Sequence, residues 1–276
     1  MCVARCTKAI FFMSPHQKTT PPKFKYVFGP VYSWRLGISL GIDPLSVKKK
    51  TCNYNCIYCQ LGRTQERSRR RQVFVPVSLI IQELRCLPNI KVEYITFAGR
   101  GEPTLASNLG RMIRAIRCFR SEKIAVITNG SLLYQKGVRR DLALADFVLI
   151  KLDAADVAGW RRINRPVSGI GFKRMFEGIK KFRRQYKGRF GLQIMLMNEN
   201  QADMQPLAGL AREIQPDEIQ LNTPLRKNPV KPLSRAVMQR LKRAFKGFQV
   251  RMVYETERKK SSPIDPSATR RRHGTE

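Results

Sequence analysis

The sequence predicts an α/β chain: an open, partial barrel of about six βα units, its parallel strands covered by helices. Three observations lead there. Short, mostly apolar segments alternate with segments whose apolar positions recur at helical spacing. The strand candidates are nearly continuous apolar runs, as strands buried on both faces require. No repeat or low-complexity linker interrupts the alternation, so it belongs to one layered unit, and six or seven such units can curl into a barrel.

The elements follow in order. RLGISLGID (35–43) is the first strand, and a cysteine-bearing loop leaves it. VSLIIQELRCL (77–87) has helical spacing, and VEYITFAG (92–99) is the second strand. NLGRMIRAIRCF (108–119) is helical, KIAVITNG (123–130) is the third strand, and 132–144 form the next helix. DFVLIKLD (146–153) is the fourth strand. FKRMFEGIKKFRRQY (172–186) is an amphipathic helix with Phe182 and Tyr186 as core contacts. FGLQIMLM (190–197) is the fifth strand, MQPLAGLAREI (204–214) a helix and EIQLNTP (218–224) the sixth strand. LSRAVMQRLKRAF (233–245) is the last clear helix, and FQVRMVYE (248–255) adds one more strand. Residues 25–255 therefore form the domain. Residues 1–24, ending in SPHQKTTPPK, read as a flexible lead-in, and 256–276 as a disordered basic tail without apolar periodicity.

Composition narrows the function. The longest apolar run near the N-terminus, Ala9 to Met13, is too short for a signal sequence or a membrane span. A cytoplasmic protein is expected, where thiols stay reduced, so seven cysteines read as ligands or free thiols rather than disulfides. Of the two histidines, His16 lies in the lead-in and His273 in the tail. That excludes histidine-based triads, HExxH zinc sites and histidine–metal oxygenase sites from the core. The net charge of +33 favours polyanions or an acidic protein partner.

In either a sheet or a barrel of this kind, working residues sit on loops leaving the C-terminal strand ends. Three cysteines, Cys52, Cys56 and Cys59, fall in eight residues directly after the first strand, spaced C-x3-C-x2-C. Soft thiolates on a short loop ligate the iron of a cubane cluster, or zinc. Structural zinc wants four protein ligands, and no fourth Cys or His lies nearby. Cys86 and Cys118 hold helix positions that read as small buried apolar sites. Three ligands leave one metal position open for a cofactor or substrate.

The motif, with Tyr58 just before its last cysteine, resembles the radical S-adenosylmethionine (SAM) superfamily. The resemblance implies an open β/α barrel in which Cys52, Cys56 and Cys59 hold a [4Fe–4S] cluster whose remaining iron chelates SAM. Reductive cleavage would then give methionine and a 5′-deoxyadenosyl radical that abstracts hydrogen from a substrate. It further implies Tyr58 beside the adenine. FAGRGEPTL matches the family's glycine-rich segment, with Gly99 and Gly101 for close backbone approach and Glu102 accepting from the methionine ammonium. Thr128 and Asn129 in ITNG would face the ribose, and Lys151 and Asp153 in IKLDA the carboxylate and ribose.

Within the superfamily the chain is similar to a wyosine-synthase-like group over roughly Phe28 to Thr223. FGPVYSWRLGISLGID, CNYNCIYCQLGRT, NRP (164–166) and QLNTP (220–224) carry that similarity. Characterised members build the tricyclic base of wyosine on a tRNA guanosine, using pyruvate, which makes a tRNA base the implied substrate. They also carry upstream cysteines for a second cluster, where this chain has only Cys2 and Cys6.

GRTQERSRRRQ follows the cysteines at once, with Arg63, Arg67, Arg69, Arg70 and Arg71 against Glu66. It reads as an exposed basic loop that docks an acidic electron donor, flavodoxin or ferredoxin, or binds RNA phosphates. Both uses predict the same patch. Two other functions fit the same residues: a zinc-binding RNA protein without catalysis, and a radical SAM enzyme that modifies a protein or small molecule, or activates another enzyme by making a glycyl radical.

Overall fold

The computed structural model describes residues 24–255 and 261–273. An antiparallel pair opens the fold, β1 (Val27–Ser33) and β2 (Gly37–Ile42). The cysteine loop carries a small two-stranded ladder, β3 (Thr51–Cys52) with β4 (Glu66–Arg67). Then come α1 (Val77–Arg85), β5 (Tyr94–Phe97), α2 (Leu109–Arg117), β6 (Lys123–Thr128), α3 (Lys136–Leu142) and β7 (Phe147–Lys151). Two helices in succession, α4 (Val157–Ile163) and α5 (Phe172–Gln185), precede β8 (Arg189–Met195). The chain continues through α6 (Met204–Ile214), β9 (Glu218–Asn222), α7 (Arg235–Lys242), β10 (Val250–Met252) and α8 (Pro266–His273).

The main sheet has eight strands in the order β1-β2-β5-β6-β7-β8-β9-β10, and every neighbouring pair after β1–β2 is parallel. The six expected strands and the additional one are all present. The sheet curls until its ends approach: Arg251 on β10 donates to the carbonyls of Trp34 and Arg35 in the β1–β2 turn, at 2.8 and 3.1 Å. β1 and β10 share no ladder, so the barrel is open.

Apolar side chains on the outer sheet face pack beneath the helices in one large core, including Leu40, Ile95, Val126, Val148, Leu192 and Leu221. Inside the curl, Leu36, Ala125, Phe147 and Leu149 form a smaller apolar plug. Phe182 and Tyr186 are buried and stack 4.7 Å apart, as their spacing predicts. No helix among the described residues is long and apolar enough to cross a membrane.

Three expectations need correction. The strand at 35–43 begins at Gly37 and is preceded by β1, whose Gly-Pro and aromatic residues hide its period. Cys86 and Cys118 are exposed, because each is the C-cap of its helix, where the chain turns off the core. Residues 261–273 are ordered against β1 rather than a disordered tail. Ile264 N donates to Gly29 O at 2.8 Å, Gly29 N donates to Thr269 Oγ1 at 3.1 Å, and Arg272 pairs with Asp43 at 3.2 Å, both side chains buried. One buried ion pair substitutes there for the missing apolar stripe, which is why periodicity did not reveal it. Residues 1–23 of the lead-in, with Cys2 and Cys6, lie outside the described residues, and its last residue, Phe24, is buried in the main core.

Candidate active site

The cysteine loop lies across the C-terminal ends of the parallel strands, and backbone contacts fix its path. Thr51 N donates to Arg100 O at 3.2 Å, and Asn55 N and Ile57 N donate to Asn164 O and Ile163 O at 2.9 and 3.0 Å. The approach at Gly101 is so close that a Cβ there would stand 1.7 Å from Thr51 O. A Cβ at Gly99 would meet Asp43 Cγ at 2.3 Å. Both glycines are thus already required by the polypeptide's own packing.

The three thiols are free and half-buried. Lys50 Nζ lies 3.0 Å from Cys59 Sγ and donates to Gly62 O at 2.6 Å, although the residue is only 3% exposed. Tyr54 N donates to Cys52 Sγ and Asn164 Nδ2 to Cys56 Sγ, both at 3.4 Å. Each sulfur therefore has a donor of its own. Without a cation, burial pushes the Cys52 thiol up to about 12, with Glu102 adding to the effect, and it raises Cys56 as well. Such thiols are poor nucleophiles by themselves, and only a bound cation would hold them deprotonated. No three His, Cys, Asp or Glu side chains among the described residues are gathered around one ion position. A cubane asks for no shared centre, since each cysteine binds a different iron.

Beside the thiols, the buried Glu102 carboxylate joins two strand ends. Its Oε1 accepts from Thr104 N, Thr104 Oγ1 and Thr128 Oγ1 at 3.1, 2.6 and 2.5 Å, and its Oε2 from Asn129 N at 2.8 Å. Oε2 keeps capacity for another donor, such as an ammonium. Burial raises the Glu102 carboxyl above its ordinary value, partly offset by the Asn129, Thr104 and Thr128 hydrogen bonds. Asn129 Nδ2 donates to Asn53 Oδ1 at 2.6 Å, tying β6 to the loop.

On the other side Asp153 is the hub. One carboxylate oxygen accepts from Tyr58 OH and from Asn164 Nδ2 at 2.9 Å, and the other from Met195 N at 2.9 Å. Lys151 Nζ stands 4.3 Å from the Tyr58 ring centre. The structure thus gathers Cys56, Tyr58, Lys151 and Asp153 on one side and Cys52, Glu102, Thr128 and Asn129 on the other.

Several residues escaped the sequence reading. Lys50 ends a KKK run that looks like ordinary solvated charge, and Asn164 sits in the quoted NRP without a role. A polar rung also crosses the inner face, because Lys151, Gln193, Gln220 and Arg251 are register partners on β7 to β10. Gln193 and Gln220 are buried, and Gln220 Oε1 has no partner. Single polar residues inside apolar strands were the available signal. The basic loop also differs from its expectation. Arg67 donates to the carbonyls of Arg165 and Pro166, while Arg71 donates to Thr104 O and Ala106 O and pairs with Asp141 at 2.5 Å. Those two are tied to the fold, yet Arg67 stays exposed like Arg63, Arg69 and Arg70, and only Arg71 is half-buried.

Residues 48–211 match the family described as the Radical SAM superfamily. A UPF0026 protein of Synechocystis is 40% identical over 208 residues, covering 75% of this chain and 78% of that protein. A Methanocaldococcus jannaschii UPF0026 protein is 38% identical, and the match covers 63% of it. A Brachyspira hyodysenteriae protein named GTPase Obg is 38% identical over 247 residues, but the match spans only 36% of its length. Among solved structures, SAM-bound SuiB of Streptococcus suis superposes with a TM-score of 0.60 at 16% identity, covering 77% of this chain and 49% of SuiB. TYW1 with a lysine-pyruvate adduct gives 0.58 at 17% identity, with coverage of 76% and 74%. At such identities these two speak for the shared fold.

Proposed function

The chain belongs to the radical SAM superfamily, and from that premise we propose that Cys52, Cys56 and Cys59 carry its [4Fe–4S] cluster and that the substrate is a tRNA base. Enzymes of this superfamily use such a cluster with SAM and require a reductant, so the alternative of a zinc-binding protein without catalysis is set aside. The observation that carries the assignment is the loop itself: three thiols at the strand ends, each facing an N–H donor. When bound and reduced, the cluster supplies the electron that cleaves SAM to methionine and a 5′-deoxyadenosyl radical.

The chain's own residues do the rest. Lys50, Tyr54 N and Asn164 fix and polarise the ligand sulfurs. Glu102 receives the SAM ammonium on Oε2, and Thr128 and Asn129 hold that carboxylate in place. Gly99 and Gly101 let the loop and strand lie close enough to form this edge. Asp153 orients Tyr58 toward the adenine side, and Lys151 places a positive charge for the SAM carboxylate. Gln193, polar inside the curl and the register partner of Lys151, presents its amide to the substrate base.

The +33 charge supports a nucleic-acid substrate, and the wyosine-like motifs point to a tRNA purine. Mass spectrometry of tRNA nucleosides from a deletion strain tests this. One modified nucleoside should vanish and return with the wild-type gene but not with Cys56→Ala. An unchanged nucleoside set would remove tRNA as the substrate.

A further inference from the structure

We propose that the groove between α4 and α5 is the docking surface for an acidic one-electron donor protein of the flavodoxin or ferredoxin kind. The inference rests on the superfamily reading in one respect, that the enzyme must be given an electron. The groove has a volume of about 780 Å³, and Arg139, Arg161, Lys173, Arg174 and Lys181 line it against a single acid, Glu177. Glu177 is itself offset by Lys180, 2.9 Å away. Arg161, Lys173, Arg174 and Lys181 are exposed. The first turn of α5 holds no acid and its N-cap, Gly171, makes no side-chain cap, so the helix's positive end adds to the field. This surface complements a carboxylate-rich protein.

A second observation ties the groove to the cysteines. Trp160 lines it, is 3% exposed, and donates from Nε1 to Tyr54 OH at 2.9 Å. Tyr54 lies between Cys52 and Cys56, and its own N–H reaches Cys52 Sγ. One turn further on, at the C-cap of α4, Asn164 donates to Cys56 Sγ. A single short helix therefore forms the groove wall and touches the ligand loop at two places. Phe172 continues the ring contacts outward, 5.8 Å from Trp160. Electron tunnelling falls off steeply with distance and favours covalent and hydrogen-bonded paths, which this wall supplies.

The position also separates the donor from the substrate. None of the residues expected to meet SAM lines the groove, whereas a substrate base must reach the strand ends. The basic loop borders the groove through Arg69, whose guanidinium packs against Gly169, but Arg67 and Arg71 are committed to the fold. The step is one electron: the donor is oxidised by one, the cluster is reduced by one, and no bond is made or broken at the groove.

The test is the Lys173→Glu, Lys181→Glu double variant, with purified flavodoxin hydroquinone as probe. Stopped-flow bleaching of the visible absorption reads reduction, and sedimentation reads donor binding. At low salt the flavodoxin-driven rate constant should fall about tenfold or more, with the two proteins converging at high salt. Donor binding should weaken in parallel, while dithionite-driven reduction and tRNA binding stay unchanged. An unchanged flavodoxin rate overturns the proposal. So does loss of tRNA binding with normal flavodoxin kinetics, which would make the groove an RNA surface. A wild-type chain that dithionite cannot reduce overturns the cluster assignment, and the docking proposal with it.

Discussion

Lys50 Nζ lies 3.0 Å from Cys59 Sγ, a cation held against a candidate ligand sulfur with almost no access to water. Its other contact, with Gly62 O, closes the loop over it. The charge opposes the negative charge that a cluster gains on reduction. Replacing Lys50 by Met keeps the chain length and removes both charge and donor. The midpoint potential should drop by up to roughly 130 mV, the one-electron equivalent of a charged hydrogen bond worth roughly 1.5–3 kcal/mol. Potentiometry followed by electron paramagnetic resonance measures it. A potential unmoved by the substitution would leave Lys50 as a loop fastener only.

Anaerobic reconstitution should load about four irons and four sulfides per chain. Alanine at Cys52, Cys56 and Cys59 should abolish the visible absorption, while Cys86→Ala with Cys118→Ala should retain it, since those thiols lie exposed at helix ends. Stoichiometric zinc, with no loadable cluster, is the contrary result.

Glu102 gives a pH signature. Burial raises its folded-state carboxyl above the ordinary 4.5, against the pull of Asn129, Thr104 and Thr128. The folded chain then holds this proton more tightly than the unfolded chain. Stability of the cofactor-free protein should therefore fall as pH rises through the unfolded and then the folded value. Glu102→Gln should remove that component from thermal melts at graded pH. The same variant should bind SAM more weakly, by roughly 1.5–3 kcal/mol, because a neutral amide is a poorer partner for an ammonium. Unaltered SAM affinity by calorimetry would take Glu102 out of the SAM contacts.

Gln193→Leu addresses the inner polar rung. Burying an apolar side chain where an amide was buried should leave stability unchanged or raise it by about 1 kcal/mol. Dithionite-driven formation of 5′-deoxyadenosine should persist while turnover of the substrate base is lost. Retention of substrate turnover would show that the rung does not meet the base.

Arg272→Met should destabilise the fold by about 3 kcal/mol, because it leaves the buried Asp43 carboxylate without its cation. Chemical denaturation measures this, and a loss below about 1 kcal/mol, as for an exposed pair, would contradict the burial.

Much of the architecture was legible because strands covered on both faces must be apolar runs, and VLIK or IAVIT can hardly be otherwise. The cysteine spacing and the glycine-glutamate segment were visible for a related reason: local chemistry leaves local patterns. What stayed hidden depends on partners distant in the chain. Asp153 meets Tyr58 across 95 residues, and Asp43 meets Arg272 across 229. Arg71 looked like one more cation in a basic run until its partners at Thr104, Ala106 and Asp141 were in place. β1 was missed because it pairs antiparallel at a sheet edge and needs no buried run on both faces.

The clasp of α8 on the first strands bears on how the molecule is made. Asp43 sits at the end of β2, and its backbone neighbour across the gap is Arg100 N, beside the glycines that seat the cysteine loop. On the ribosome this carboxylate emerges early, and its cation only about 230 residues of translation later. Until then the edge that supports the loop holds a charge that folding cannot bury cheaply. The pair thus has an order built into it: the edge beside the cysteine loop gains its buried cation only after Arg272 has been synthesised, so this part of the fold closes later than the parallel strands between them.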